Sequence, residues 1–262
     1  MDIIRSKENK LIKNAKKLLE KRYRKLSRKF IVEGFRFTEE ALKSSFNVET
    51  IFVSEASRDK WNSYGFEAKV KKGTNVYWTS DHVIKYLSDT ETPQGVLAVV
   101  AMKENNISFE EGFYVLADKV QDPGNLGTII RTAHASGALG VILTKGTVDV
   151  YNNKTLRSTM GSIFNVPVIE DENLELLNSL REKGFKLIVS TLDADMNFYD
   201  IDLKGRYIIA VGNEGSGISS EIMNIGDIKA KLPMPGNAES LNAAVAVSVM
   251  MYEAVRQKLN KI

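Results

Sequence analysis

The chain has no cysteine and only two histidines, His82 and His134, in 262 residues. Disulfides, thiolate zinc sites and cysteine nucleophiles are therefore excluded. Two imidazoles are too few for a histidine-built metal site, so no metal is expected. No apolar run exceeds the length of a strand, and no membrane-spanning segment is expected. The opening MDIIRSKENK lacks the apolar core of a signal peptide, which makes the cytoplasm the expected location. Hydrophobic content of 43% and charged content of 26% fit a globular chain of two modest domains or one large one.

Acidic residues are scarce at one end. Residues 1–30 hold 12 Lys/Arg against 3 Asp/Glu, a balance of +9, while the rest holds 24 against 30, or −6. Leu11, Ala15, Leu18, Leu19, Tyr23, Leu26 and Phe30 recur at spacings of three and four, which predicts one amphipathic helix with a basic face. A solvated face is the plain reading of such a helix. Too few acids are interspersed for i,i+4 pairing to explain the excess, so the face points to a polyanion such as RNA. Lys17, Arg24 and Arg28 are its candidate RNA contacts.

Further along, VETIFVS (48–54), VYWT (76–79) and GVLAVVA (95–101) read as strands and DHVIKYL (81–87) as a helix. The polar, aperiodic stretch KENNISFEEG (103–112) marks a boundary. The expected division is 1–104, a linker at 105–112, and 113–262. In the last part, continuous apolar strands at 113–118, 138–144, 185–191 and 206–212 alternate with helical segments near 125–136, 173–183 and 240–259. That pattern predicts an α/β domain whose parallel sheet is covered on both faces.

The strand ending at Val211 runs into Gly212, Gly215 and Gly217. This G-x-x-G-x-G lies late in the chain and is neither a dinucleotide fingerprint nor a P-loop. Alone, it fits a tight strand-to-helix turn. Two further segments give it context. In DKVQDPGNLGTIIRTAHASGA (118–138) a strand ends, a Pro-Gly turn follows, and a helix opens near Asn125 and carries Arg131. In KLPMPGNAESLNAAVAVSVMMYEAVRQ (231–257) a loop leads to Ser240-Leu241-Asn242 and a helix that Ser240 is placed to cap.

Asn125-x-Gly127-x-x-x-Arg131, then Gly212-Asn-Glu214-Gly-Ser-Gly217, then Leu232-Pro-Met234 through Ser240-Leu-Asn242 resemble, in order, the three motifs of the SpoU/TrmH-type RNA ribose 2′-O-methyltransferases of the SPOUT superfamily. Residues 6–42 and 92–100 resemble that family's N-terminal RNA-binding domain, and residues 153–168 its segment between the first two motifs. The resemblance implies a C-terminal SPOUT domain closed by a trefoil knot, a smaller N-terminal ribosomal-protein-like α/β domain, S-adenosylmethionine (SAM) as cofactor, RNA as partner and a homodimer. It implies that Thr191, Leu192, Asp193, Gly212, Leu232, Met234 and Leu241 surround SAM, with glycines letting backbone approach it. Arg157 and Ser158 stand at substrate-side positions.

The same resemblance places Arg131, Asn125, Glu214, Ser240 and Asn242 in the catalytic set. A guanidinium with pKa above ~12 is a poor base. The expected role of Arg131 is to hold the target's phosphate and stabilise a developing 2′-alkoxide, while the other four orient ribose and arginine. Ribosomal RNA is the expected target, with transfer RNA the other choice. C5-pyrimidine methylation needs the missing cysteine, and DPGN lacks the aromatic of an amino-methyltransferase motif. The alternative reading is a non-catalytic, ribosome-associated RNA-binding protein that keeps the fold.

Overall fold

The computed structural model describes residues 3–236 and 238–259. In chain order the elements begin α1 (Lys10–Lys17), α2 (Lys21–Ser27), β1 (Lys29–Glu33), α3 (Phe35–Lys43), β2 (Val48–Ser54), α4 (Arg58–Ser63), α5 (Phe66–Lys69), β3 (Asn75–Thr79), α6 (Asp81–Leu87) and β4 (Val96–Ala101). They continue with β5 (Gly112–Ala117), α7 (Pro123–Ala135), β6 (Gly140–Thr144), α8 (Asn153–Thr159), β7 (Val168–Asp171), α9 (Glu175–Glu182) and β8 (Lys186–Ser190). Last come β9 (Met196–Asn197), β10 (Arg206–Val211), α10 (Ser220–Ile225), β11 (Ile228–Lys231) and α11 (Ala243–Leu259). The chain divides into two compact units. The first runs to Glu104 and takes in Tyr151–Phe164; the second holds Asn105–Val150 and the chain from Asn165 onward.

The first unit is built on a four-stranded sheet of order β1-β4-β2-β3, antiparallel except for the β2/β3 pair. Ile12, Ala15 and Leu18 of the N-terminal segment pack with Val83, Ile84 and Leu87 of α6 over Ile31, Phe52, Leu97 and Val99.

The single basic helix expected across Leu11–Phe30 is two short helices and the start of a strand. Of the expected face Ala15 and Leu18 are buried, but Leu11 is 40% exposed, with Ile12 buried in its place, and Leu26 is 79% exposed. The chain then turns through Leu18–Glu20, forms α2, passes through a left-handed Arg28 and enters β1. The sheet wins this segment because Phe30, Ile31 and Val32 bury almost completely as strand residues, and burial of each large apolar side chain is worth roughly 1.5–3 kcal/mol. The break leaves the last carbonyls of the first helical segment without i+4 donors. Arg24 meets them: its Nη1 donates to the carbonyls of Leu18 at 2.9 Å and Leu19 at 2.7 Å.

The second unit carries a seven-stranded, fully parallel sheet of order β7-β6-β5-β10-β8-β11-β9. Its core strands are buried along nearly their whole length, as their continuous apolar sequences predict. Tyr114, Leu116, Ile208 and Ala210 pack with Leu177 and Leu180 of α9 and Ile222 of α10. By strand alternation the opposite face takes α7 and α11. These two helices pack together, with Ser248 donating to Thr132 Oγ1 at 3.1 Å.

Residues 105–112, polar enough to suggest a linker, are tied to this unit. Asn105 Nδ2 donates to the Val168 carbonyl at 2.7 Å, and Ser108 exchanges two hydrogen bonds with the Tyr114 hydroxyl.

Candidate active site

The carboxyl ends of parallel strands are where α/β sheets bind ligands, because the loops there are free to carry chemistry. In the second unit, four loops leave the adjacent strands β5, β10, β8 and β11 at that edge. The loop after β5 leads into α7, where Asp122 caps the helix by accepting from the Asn125 amide at 2.8 Å and Pro123 occupies the first turn. The helix thus opens two residues before Asn125. Leu126, Ile129, Ile130 and Ala133 form its buried face, as their spacing predicts.

Three residues far apart in sequence meet here. Asn242 Nδ2 donates to Asn125 Oδ1 at 2.9 Å, and Asn125 Nδ2 donates to Glu214 at 2.8 Å. Backbone amides of Gln121 and Asp122 also donate to Glu214, at 3.3 and 3.2 Å. Burial alone would raise the Glu214 carboxyl. The donors from Asn125 and from the amides of Glu214, Gln121 and Asp122 together outweigh it and hold the group below its usual range. Glu214 is therefore a fixed anion and a weak proton acceptor at neutral pH.

Asn242 is also the cap of α11, since its Oδ1 accepts from the amides of Ala244 and Val245 at 3.0 and 3.2 Å. Ser240, placed by the sequence to cap this helix, is exposed and makes no hydrogen bond among the described residues. Asn is an equally good cap, and it stands directly before the first helical residue.

The glycine loop closes on itself. Asn213 and Gly217 exchange backbone hydrogen bonds, both at 2.9 Å, and Asn213 Oδ1 accepts from the amides of Gly215 and Ser216. A Cβ on Gly212 would overlap the backbone of Gly217 and Ile218. The glycine there is needed for the loop's own return, which leaves only its backbone to meet a ligand. Asn213 Nδ2 donates to the Lys119 carbonyl at 3.0 Å, so this side chain holds the loop and does not point to a substrate. Composition gave no sign of Asp118. Buried at the end of β5, it accepts from Thr144 Oγ1 at 2.8 Å and from the Ser219 amide at 2.7 Å, clamping the loop's far end.

Arg131 lies six residues beyond Asn125, about 9 Å along the helix axis. It is exposed, and its side chain has no hydrogen bond or ion pair among the described residues. The guanidinium is thus not gathered into the Asn125 group.

The residues expected around a cofactor follow β8, β10 and β11. The Thr191 amide donates to the Ala230 carbonyl at 3.0 Å, tying the start of the loop after β8 to strand β11. Leu192 and Leu241 expose 55% and 39% of their surface, Asp193 is exposed and Met234 half-buried. Leu232 is buried, which leaves its backbone as the accessible part. Uncovered apolar side chains therefore stand beside polar backbone at this edge.

In the first unit, Lys17 is exposed, with its ammonium 5.5 Å from the Tyr23 ring, and Arg28 is exposed. Arg24 is 5% exposed and committed to the carbonyls named above, so it does not offer RNA a free guanidinium. Arg157 and Ser158 sit on α8. Arg157 lies 3.7 Å from Asp89, and Ser158 Oγ donates to the Lys154 carbonyl at 2.9 Å. Among the described residues there is no group of three His, Cys, Asp or Glu arranged to hold a metal. No described helix is long and apolar enough to cross a membrane.

The model of the SpoU rRNA Methylase family matches residues 112–252, and that of the MRM3-like substrate binding domain matches residues 9–98. The chain is 36% identical over 252 residues to 23S rRNA (guanosine(2553)-2′-O)-methyltransferase RlmP of Bacillus subtilis (strain 168), covering 96% of this chain and 98% of that protein. It is 31% identical to the 23S rRNA (uridine(2479)-2′-O)-methyltransferase of Streptomyces viridochromogenes, covering 88% and 84%. The solved SpoU methyltransferase AviRb of Streptomyces viridochromogenes, in complex with AdoMet, aligns at TM-score 0.87 and 30% identity over 96% of this chain and 99% of that one. An AdoMet-bound rRNA methyltransferase from Sinorhizobium meliloti aligns at 0.84 and 30%, over 97% of each chain.

Proposed function

The chain belongs to the SpoU rRNA methylase family, and from that premise we propose that it methylates a ribose 2′-hydroxyl of 23S ribosomal RNA with SAM as donor. The observation that carries the site is the Asn242–Asn125–Glu214 hydrogen-bond chain at the carboxyl edge of the sheet. The relatives compared above are named as enzymes, which leaves the non-catalytic alternative without support.

Bound SAM would supply an electrophilic methyl group. Thr191, Leu192, Asp193, Met234 and Leu241, with the backbone at Gly212 and Leu232, would hold it at the edge of β8, β10 and β11. What remains for the protein is to present a weakly acidic alcohol in line, and such positioning can contribute on the order of 7–11 kcal/mol. Asn125 is locked at both ends of its amide, so it offers a fixed direction to a ribose. Glu214, held anionic, orients donors and does not take the proton. Arg131, charged and without a partner among the described residues, binds the target phosphate and stabilises the developing alkoxide. Ser240, two residues before Asn242, would supply a hydroxyl to the ribose.

Two finer readings belong with this proposal. The C-terminal segment forms the family's trefoil knot. The protein works as a homodimer in the cytoplasm, and Val245, Tyr252 and Leu259, exposed at 47%, 52% and 63% in a row along α11, support a second copy against that helix. The test is methyl transfer from labelled SAM to unmodified 23S rRNA by the purified chain, with the product mapped by resistance to alkaline cleavage. One protected ribose is expected. Intact SAM binding with no protected ribose in ribosomal or transfer RNA would overturn the proposal.

A further inference from the structure

We propose that a cavity beside the start of α3, wholly within the first unit, is a pocket for one unstacked guanine nucleotide of the RNA. The inference rests on the RNA substrate proposed above and adds the base that the first unit reads. The cavity measures about 270 Å³, just under the ~300–1,000 Å³ that holds drug-sized ligands, and so suits one base. Its apolar walls are the half-buried Phe37 ring and the Met160 side chain, 55% exposed at the rim. Proteins read single-stranded RNA by stacking splayed bases on such rings and hydrogen-bonding their Watson–Crick edges.

The polar lining selects the base. Glu33 and Glu40 bring carboxylates, which only accept. Guanine presents adjacent N1–H and N2–H donors on its pairing edge; adenine, cytosine and uracil present no such pair. Arg36 and Arg157 stand at the same cavity. They suit the nucleotide's phosphate; the first amide of α3, that of Phe35, is already taken by Gln94 Oε1 at 3.4 Å.

An unpaired buried acceptor supports a ligand here. Glu33 Oε1 accepts from the hydroxyls of Ser88 and Thr90, but its Oε2 is buried with no hydrogen-bond partner among the described residues. A buried acceptor left unpaired is costly and asks for a donor. Met160 and Gly161 also hold successive positive φ angles of 50° and 88° at the end of α8, and a Cβ on Gly161 would press on the Glu40 side chain. A left-handed residue followed by glycine is the ordinary way a helix ends, and here it brings the chain close to Glu40.

The test uses the full chain. Saturation-transfer NMR with 5′-GMP, AMP, CMP and UMP should show GMP bound several-fold more tightly than the others. Glu40→Gln should remove that preference and raise KM for RNA about tenfold, with kcat and SAM affinity unchanged. Arg157→Gln should weaken all four mononucleotides alike. Equal binding of the four by the wild-type chain would overturn the pocket, and so would an unchanged RNA KM in both variants. If the wild-type protein binds SAM but methylates no RNA, the proposed function fails instead, so the two failures are distinguishable.

Discussion

Asn242 does two jobs, and one substitution separates them. As a cap it accepts from two amides of α11, which is worth about 1 kcal/mol against alanine. As a link it donates to Asn125, and such a hydrogen bond nets about 0.5–1.5 kcal/mol. Asn242→Ala loses both, about 2 kcal/mol, which lowers Tm by roughly 4–8 °C for a unit of this size. Asn242→Asp keeps the cap, since Asp caps as well as Asn, but its carboxylate has no proton for Asn125 Oδ1. Asn125 cannot compensate by flipping, because its oxygen would then face the anionic Glu214. Asn242→Asp should therefore stay within a few degrees of wild type while kcat falls roughly 10²-fold, the cost of small misplacements in a positioned site. Thermal unfolding without SAM and single-turnover methyl transfer measure the two effects. A stable Asn242→Asp protein with wild-type turnover would refute a catalytic role for the link.

Arg131→Ala should lower kcat about 10²–10³-fold with calorimetric SAM affinity intact; near-normal turnover would remove it from the mechanism. Gly212→Ala must displace the return of its own loop, so a loss of about 1–3 kcal/mol in denaturant titration is expected. Arg24→Met should cost about 1.5–3 kcal/mol, the worth of a charged hydrogen bond, whereas Lys17→Ala should leave stability unchanged and reduce the salt slope of RNA binding by about one. Glu214 and Glu253 are both held below the ordinary 4.5, Glu214 by the donors that outweigh its burial and Glu253 chiefly by Arg256. Their stabilisation is complete above that value and is lost as pH falls through the lowered one, so Glu214→Gln and Glu253→Gln should each flatten acid unfolding below pH 4.5. An unchanged acid limb would contradict the assignment.

The parallel half of the molecule was legible because strands buried on both faces must be continuously apolar. FYVLAD and RYIIAV, for instance, carry that signature without help from any distant residue. The basic N-terminal segment misled because periods of three and four describe only which face is buried locally. They continued through Phe30 by coincidence, and the sheet claimed Phe30–Val32.

Composition alone excluded cysteine chemistry and fixed the positive charge at one end, and ordered motifs named Asn125, Glu214, Arg131 and Asn242 together. Tertiary structure alone decided how those residues divide. Asn125 lies 89 residues from Glu214 and 117 from Asn242 in sequence, and they touch because β5 and β10 end side by side and α11 packs on α7. It alone showed that Asn242 caps its helix in place of Ser240, that Gly212 yields to its own loop, and that Arg24 is spent on the carbonyls of Leu18 and Leu19. A side chain's partner is set by what long-range packing brings within 3 Å, and residue spacing along the chain does not encode that.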